Sequence, residues 1–159
     1  MPLTQIFFLY VPLALMLIIS VGMPFWKVQL VKKAGNKVMS LVRKRSIINW
    51  AAAILCYLLV ILVVAFDFGR FNFVFPYCAV LGLYITTREN TLKPINGLYE
   101  NLLISGTDVL YLDDIISIEE NKQNQPDYVM TVITKKGGKR NITFDNANEL
   151  KEVRTLIKK

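Results

Sequence analysis

The chain has 159 residues, of which 53% are hydrophobic and 19% are charged, and its mean hydropathy is +0.39. This composition is more apolar and less charged than that of soluble domains, and it nearly excludes a soluble monomer. The chain contains no histidine, which excludes imidazole general bases, Ser-His triads and histidine-liganded zinc. The net charge of +7 belongs to residues 1–87, which hold eight basic and one acidic side chain, because residues 88–159 hold eleven of each.

Residues 6–26 form the first apolar segment, and no charge precedes Lys27. A helix of this length covers the roughly 30 Å hydrocarbon core of a bilayer. The alternative is a secretory signal peptide, but the segment lacks a basic region in front of it and a small-residue cleavage site behind it. We therefore predict a first transmembrane helix over residues 6–26.

Two more uncharged segments follow, at residues 47–66 and 71–87. Each is long enough to span a bilayer. Only residues 67–70 connect them, so the two helices must be antiparallel neighbours. The sequence thus predicts an α-helical membrane domain, residues 1–95, with three transmembrane helices.

The connection between the first two spans, residues 27–46, contains seven basic residues and no acidic one. Loops this basic stay in the cytoplasm. We therefore expect the N-terminus outside and everything after Thr87 in the cytoplasm, in a multi-pass protein of the cell membrane. Trp26 and Trp50 flank the loop, as interfacial indoles at one membrane face would.

The same loop has apolar residues at three- and four-residue spacing, from Val28 to Val42. This pattern predicts a basic amphipathic segment that lies in the interface and attracts anionic lipid headgroups, broken into two helical pieces at Gly35 and Asn36. The alternative is that the charges only fix the topology. The candidate contacts for lipid or a protein partner in this loop are Lys32, Lys33, Lys37, Arg43, Lys44 and Arg45.

The region after residue 95 has short β-type segments separated by turn residues. Five strands in a meander are predicted, at residues 98–105, 109–112, 115–121, 128–134 and 140–144. Leu98, Leu102 and Ile104 are expected on one face of the first strand. Gly137-Gly138 gives the best hairpin signal, because a two-residue primed turn needs a positive φ.

A C-terminal helix is predicted from Asp145 or Asn146 as N-cap, with Glu149 in a capping-box position. Its expected buried stripe consists of Leu150, Val153, Leu156 and Ile157. The result is a small cytoplasmic α+β domain, residues 96–159, with an antiparallel sheet closed by a C-terminal helix. A core this small is marginal, so we expect it to lean on the membrane helices, a second copy or a partner.

A resemblance to a known group rests on three segments: NGLYEN at 96–101, ISG at 104–106 and YLDDIISIE at 111–119. They resemble the strand pattern of PH-like domains in small bacterial membrane proteins of unknown function, which have three helices and a C-terminal PH-like domain. A full PH fold has seven strands and a helix, whereas five strands are predicted here. The resemblance implies a membrane-anchored interaction or accessory module of the bacterial inner membrane.

Other candidate sites have simpler interpretations. Asp113-Asp114 and Glu119-Glu120 offer one carboxylate per strand face and no third ligand, so turn and surface roles are favoured over a metal site. Cys56 and Cys78 are expected to be packing residues within spans. A basic hairpin tip could contact anionic lipid or an acidic partner, the alternative being an ordinary charged hairpin. This tip comprises Lys135, Lys136, Lys139 and Arg140.

These observations favour a membrane-anchored interaction protein whose PH-like domain binds a protein partner or its own copies in a homo-oligomer. The alternative is a small transport or channel component, or a membrane protein of the bacteriocin-immunity type. We expect no enzyme, no cofactor and no metal. Nucleic-acid binding is not expected, because the C-terminal region is net neutral and has no basic stripe with interleaved aromatic residues.

Overall fold

The computed structural model describes residues 9–41, 43, 47–66, 68–69, 71–119, 128–135 and 138–157. The chain forms two compact units. The first, which we call the helical unit, comprises Met1–Val28 and Arg45–Thr91. The second, the sheet unit, comprises Gln29–Lys44 and Leu92–Lys159. The sheet unit therefore includes most of the basic segment that the sequence assigns to a loop between membrane helices.

Three helices build the helical unit: α1 at Val11–Ala34, α2 at Ile47–Ala65 and α3 at Phe71–Leu92. Helix α1 continues past the unit's boundary into the basic segment, eight residues beyond the predicted end of the first span, and α3 continues five residues beyond the predicted end of the third. Residues 6–8 of the first predicted span lie outside the described residues. The buried contacts between the helices are made by Met16, Val60, Ala79 and Leu83.

Among the described residues, two helices are long and apolar enough to cross a membrane: Val11–Ala34 and Ile47–Ala65. Only 11% and 6% of their most apolar windows are buried. A core helix of a soluble protein would be mostly buried, so this exposure favours a bilayer environment. Helix α3 falls short by the same measure, because Asn72 and the polar run from Thr86 interrupt its apolar sequence. The third span stays a prediction.

Within the described residues, the sheet unit contains two antiparallel sheets. The first has four strands in the order β1-β2-β3-β4, and the second has three in the order β5-β6-β7. The strands are β1 Lys37–Ser40, β2 Gly97–Tyr99, β3 Leu102–Ser105, β4 Asp108–Tyr111, β5 Ile115–Ile118, β6 Val129–Thr134 and β7 Lys139–Thr143. Strands β6 and β7 pair from Val129↔Thr143 to Ile133↔Lys139, as the predicted hairpin requires. The predicted turn includes Gly137, which lies outside the described residues.

Strand β1 corrects the interpretation of the basic segment. Residues 37–40 were expected to continue an amphipathic helical pattern, but they form an edge strand that pairs with β2, with Ser40 opposite Gly97. Leu41 follows the strand, is 3% exposed and packs in the core of the sheet unit. The reason is long-range: the main-chain groups of this segment pair with a strand that lies more than fifty residues later in the chain.

The predicted first strand, residues 98–105, is also wrong as a single element. It folds back at Glu100 and Asn101, so that β2 and β3 form a hairpin with Leu98 opposite Leu103. Leu98 therefore shares the core face with Leu103 and with Leu110. Leu102 and Ile104, which were expected on the face of Leu98, are buried on the other face because side chains alternate along a strand.

The C-terminal helix α4, Ala147–Ile157, is confirmed. Asn146 caps it, since its Oδ1 accepts a hydrogen bond from the backbone N–H of Glu149 at 2.8 Å. Leu150 and Val153 enter the core as expected. Leu156 does not: its side chain is 38% exposed, because the residue lies at the edge of the apolar stripe rather than at its centre.

Candidate functional site

The basic segment is fixed to the sheet unit by hydrogen bonds near its start. Asn101 Nδ2 donates to the carbonyl of Lys33 at 3.1 Å, which satisfies an orphan acceptor at the end of α1. The backbone N–H and the side-chain amide of Asn36 donate to the two carboxylate oxygens of Glu100, at 3.0 and 2.9 Å. These two bonds lower the pKa of the Glu100 carboxyl below its ordinary value.

Arg43 fixes the other end of the segment. Its Nε lies 3.1 Å from Asp145 Oδ1, and its Nη2 donates to the carbonyl of Thr143 at 3.1 Å. Ser105 Oγ donates to the same carbonyl at 2.6 Å, which ties β3 to the end of β7. The side chain of Arg43 is 19% exposed. Its guanidinium is thus engaged inside the sheet unit, between the two sheets and the start of α4.

The other basic candidates of the segment are more open to solvent. Lys32 and Lys33 are exposed on the last turn of α1. Lys37 lies on β1 with its ammonium 5.6 Å from the centre of the Tyr99 ring, a cation–π distance. Partial burial lowers the pKa of Lys37 and raises that of Tyr99. Lys44 and Arg45 lie outside the described residues.

The basic hairpin tip is less uniformly positive than its sequence indicates. Lys139 forms an ion pair with Glu119 across the β5-β6-β7 sheet. Lys135 and Arg140 are exposed, and Arg140 lines a small cavity of about 140 Å³ together with Asp114. Lys136 lies outside the described residues. That the tip contacts lipid or an acidic partner stays a prediction.

An apolar groove lies between β5 and α4, with a volume of about 320 Å³. Its lining residues are Leu112, Ile115, Ile116, Ser117, Ile118, Leu156 and Ile157. Ile116 occupies the irregular position of β5 and is 61% exposed. Arg154 Nη2 donates to the carbonyl of Glu119 at 2.7 Å, which holds α4 beside the end of β5.

Strand β5 is an edge strand. It pairs with β6 on one side, and no described strand pairs with its other side. Glu119 N donates to Thr131 O at 2.9 Å, and main-chain groups alternate in direction along a strand. Ile118, opposite Val132, therefore directs its N–H and C=O away from β6. The groove thus combines apolar side chains with main-chain groups that point along an open edge.

The helical unit contains a second candidate site, a cavity of about 350 Å³. It is lined by Ser20, Pro24, Lys27, Trp50, Ala53, Tyr57, Leu83, Thr87, Asn90 and Thr91. Ser20 Oγ and Tyr57 Oη share a hydrogen bond of 2.5 Å in its wall. Asn90 Oδ1 is buried and has no hydrogen-bond partner among the described residues. The cavity is therefore polar beside the later residues of α1 and α3, and apolar beside Pro24, Ala53 and Leu83.

The described residues contain no group of three or more carboxylate, thiol or imidazole side chains that could hold a metal ion. Asp113 and Asp114 lie in a short 3₁₀ turn, Leu112–Asp114, as their sequence context predicts. Cys56 and Cys78 are free thiols in the helical unit. Cys56 faces α3 at Gly82, where a Cβ would lie 2.9 Å from its Sγ. The absence of a side chain at Gly82 therefore permits close contact between α2 and α3.

Comparison of the chain with protein-family models, with curated proteins and with solved structures found no match.

Sequence reasoning missed both the groove and the cavity. Ile116 alternates with its neighbours and could have indicated an exposed apolar position, but its pairing irregularity has no sequence signature. In α3, Thr87, Asn90 and Thr91 recur at three- and four-residue spacing, which places them on one helix face. That spacing in α3, together with Lys27 at the end of the first apolar segment, is the sequence pattern that could have indicated the cavity.

Proposed function

We propose that this chain is a membrane-anchored interaction protein whose sheet unit binds an extended segment of another protein along β5. The helical unit would be the anchor, and the sheet unit would be the binding module. The observation that carries the proposal is the open edge of β5 beside the apolar groove.

The membrane part of the proposal rests on exposed apolar surface. Ile47, Ile48 and Phe25 are 86%, 76% and 68% exposed, and such side chains need an apolar environment that the chain itself does not supply. We propose that α3 is a third span, packed on the two more apolar helices. Trp50 lines a cavity with Lys27, which fits an interfacial belt at the basic end of the helical unit.

We further propose that this basic end faces the cytoplasm of a bacterial inner membrane, with the N-terminus outside. The support is the charge of the segment between α1 and α2, which is costly to translocate. A fluorescent reporter fused after the last residue tests the orientation, because it matures only in the cytoplasm. A periplasmic reporter at the same place that becomes active would overturn it.

The sheet unit is proposed to be PH-like. In its favour, the described residues form sheets of four and three antiparallel strands followed by one helix, which is the strand and helix count of a complete PH fold. The sequence-based prediction lacked two of these seven strands: β1, which comes from the basic segment, and the extra strand that arises because residues 98–105 form both β2 and β3. Fold alone does not fix function, so partner binding is argued from the groove.

The groove suits an extended apolar peptide for two reasons. The open edge of β5 offers main-chain donors and acceptors to an added strand, which is the chemistry of β-augmentation. The side chains that line the groove are apolar except for that of Ser117, with Ile116 and Leu156 exposed, and alternate side chains of an added strand would bury against them. The described lining residues include no charged side chain, so the occupant is expected to present apolar residues.

A photoreactive amino acid placed at Ile116 in the membrane-embedded full chain tests this docking. The matched control is the same probe at Val38, which is 53% exposed on the other sheet. We expect a discrete adduct with one other protein at position 116 and not at 38, and its loss when Leu156→Lys is added. Adducts of equal yield at both positions, or none, would overturn the proposal. An adduct of two copies of this chain would replace the partner by a second copy.

A further inference from the structure

We infer that the cavity of the helical unit binds the headgroup of an anionic phospholipid that carries hydroxyl groups, such as phosphatidylglycerol. This inference goes beyond partner binding by the sheet unit. It shares with the proposed function only the membrane setting of the helical unit.

The charge of the cavity favours an anionic ligand. Lys27 is the charged residue among its described lining residues, and no carboxylate accompanies it there. Lys27 is partly buried and lines the cavity together with Pro24 and Ala53, and a charge in less polar surroundings than water attracts an anion more strongly. Basic pockets between transmembrane helices on the cytoplasmic side are the setting in which anionic headgroups are held.

The hydrogen-bonding groups of the cavity suit a ligand that carries hydroxyl groups as well as a phosphate. Asn90 Oδ1 is a buried acceptor without a partner among the described residues, and such an atom costs free energy unless a donor reaches it. A phosphodiester has acceptors only, so it suits Lys27 but not Asn90 Oδ1. A headgroup hydroxyl supplies the missing donor. Thr87 and Thr91 add hydroxyl groups from the same face of α3.

The size and the remaining lining of the cavity fit a headgroup with the start of its acyl chains. A volume of about 350 Å³ lies at the lower end of the range for small-ligand sites. Leu83, Ala53 and Pro24 provide apolar surface next to the polar groups. Trp50 lies in the lining and is 54% exposed, which suits an indole at the level of headgroups.

The test is native mass spectrometry of the full chain in mild detergent with equal amounts of phosphatidylglycerol and phosphatidylcholine. We expect one phosphatidylglycerol to be retained in preference to phosphatidylcholine. Lys27→Gln should weaken that retention about tenfold, the scale of one charge-assisted hydrogen bond. The matched control is Lys151→Gln, which removes the same charge from an exposed position on α4 and should leave retention unchanged.

A second variant and a second readout keep the result independent of folding. Asn90→Asp places a negative charge where the headgroup would lie, and it should abolish the rise in melting temperature that phosphatidylglycerol gives the unsubstituted chain and Lys151→Gln. Equal retention by Lys27→Gln and Lys151→Gln would overturn the inference, as would equal binding of the two lipids. Displacement of the lipid by millimolar glycerol phosphate would assign the site to a free phosphate ester instead. Loss of cross-linking at Ile116 bears only on partner binding.

Discussion

Arg43 Nε lies 3.1 Å from the carboxylate of Asp145, so a residue of the basic segment is bound to the residue that precedes the cap of α4. The same guanidinium reaches the carbonyl of Thr143 at 3.1 Å. One side chain therefore holds together the basic segment, the end of β7 and the start of the C-terminal helix. The segment that connects two apolar helices is thereby a structural part of the sheet unit.

Replacing Arg43 by Ala should loosen the contacts of the basic segment with the end of β7 and with the start of α4. The guanidinium makes charge-assisted bonds from a mostly buried position, so we expect a loss of about 1–2 kcal/mol in local stability. Hydrogen–deuterium exchange of the full chain measures it: amides of β1 and β7 should exchange roughly five- to thirty-fold faster. Lys32→Ala, which removes the same charge from an exposed position, is the control. Unchanged exchange in β1 for Arg43→Ala would contradict the structural role.

Strand β1 requires a glycine opposite it. A Cβ on Gly97 would lie 2.5 Å from the backbone oxygen of Met39, which has no flexible end that could move aside. Gly97→Ala should therefore push β1 off β2 and cost about 1–3 kcal/mol, the usual range for overpacking. Faster amide exchange confined to residues 37–40 and 97–99 is the expected result. Gly138→Ala is the control, because its Cβ would find its nearest atom only at 4.0 Å.

Structural features that depend on residues close together in the sequence could be predicted, whereas features that depend on distant residues could not. The cap of α4 was predictable because Asn146 Oδ1 accepts a hydrogen bond from the backbone N–H of Glu149, only three residues later. The presence of three helices in the helical unit was predictable from continuous apolar runs, but the ends of α1 and α3 were not, since these helices continue eight and five residues beyond the predicted spans. The strand β1 was not, since its valine spacing fits a helix and its partner Gly97 is distant in the chain.

The turn at residues 100–101 was missed for the same reason. It contains neither Gly nor Pro, and the contact that holds Glu100 comes from Asn36, sixty-four residues earlier. Nor did any local pattern mark Leu156 as exposed, because whether the edge of an apolar stripe is covered depends on what packs beside it. Exposure along β5 and α4, and therefore the groove, required the tertiary arrangement.

The Glu100 carboxylate should make the sheet unit sensitive to acid. Hydrogen bonds from Asn36 lower the pKa of Glu100 in the folded chain, so the folded state favours the ionised form more than the unfolded state does. The resulting stabilisation is fully present above the ordinary glutamate pKa of about 4.3. It is lost as the pH falls from there through the lowered folded-state pKa.

A carbon-detected NMR titration of the full chain, labelled at glutamate, measures this directly. We expect the carboxyl of Glu100 to titrate below the ordinary range and to return only part of the way towards it in Asn36→Ala, because the bond from the backbone N–H of residue 36 remains. Glu100→Gln should remove the corresponding acid-dependent part of the unfolding transition while leaving the remaining carboxylates in place. A Glu100 titration that is the same with and without the Asn36 side chain would show that the hydrogen bond from the Asn36 side-chain amide does not form in solution.

Close packing of α2 on α3 depends on the pair Cys56 and Gly82. A Cβ on Gly82 would lie 2.9 Å from Cys56 Sγ, so Gly82→Ala should force the helices apart or turn the cysteine out of its rotamer, at a cost of about 1–3 kcal/mol. Removing the sulfur makes room for the added methyl group. Cys56→Ala combined with Gly82→Ala should therefore be more stable than the sum of the two single changes predicts, which is a favourable coupling.

Tryptophan fluorescence during thermal unfolding in detergent follows the helical unit, since both indoles belong to it. Gly22→Ala in α1, where a Cβ meets open space, is the matched control, and additive effects of the Cys56 and Gly82 changes would show that the two helices do not meet at this pair.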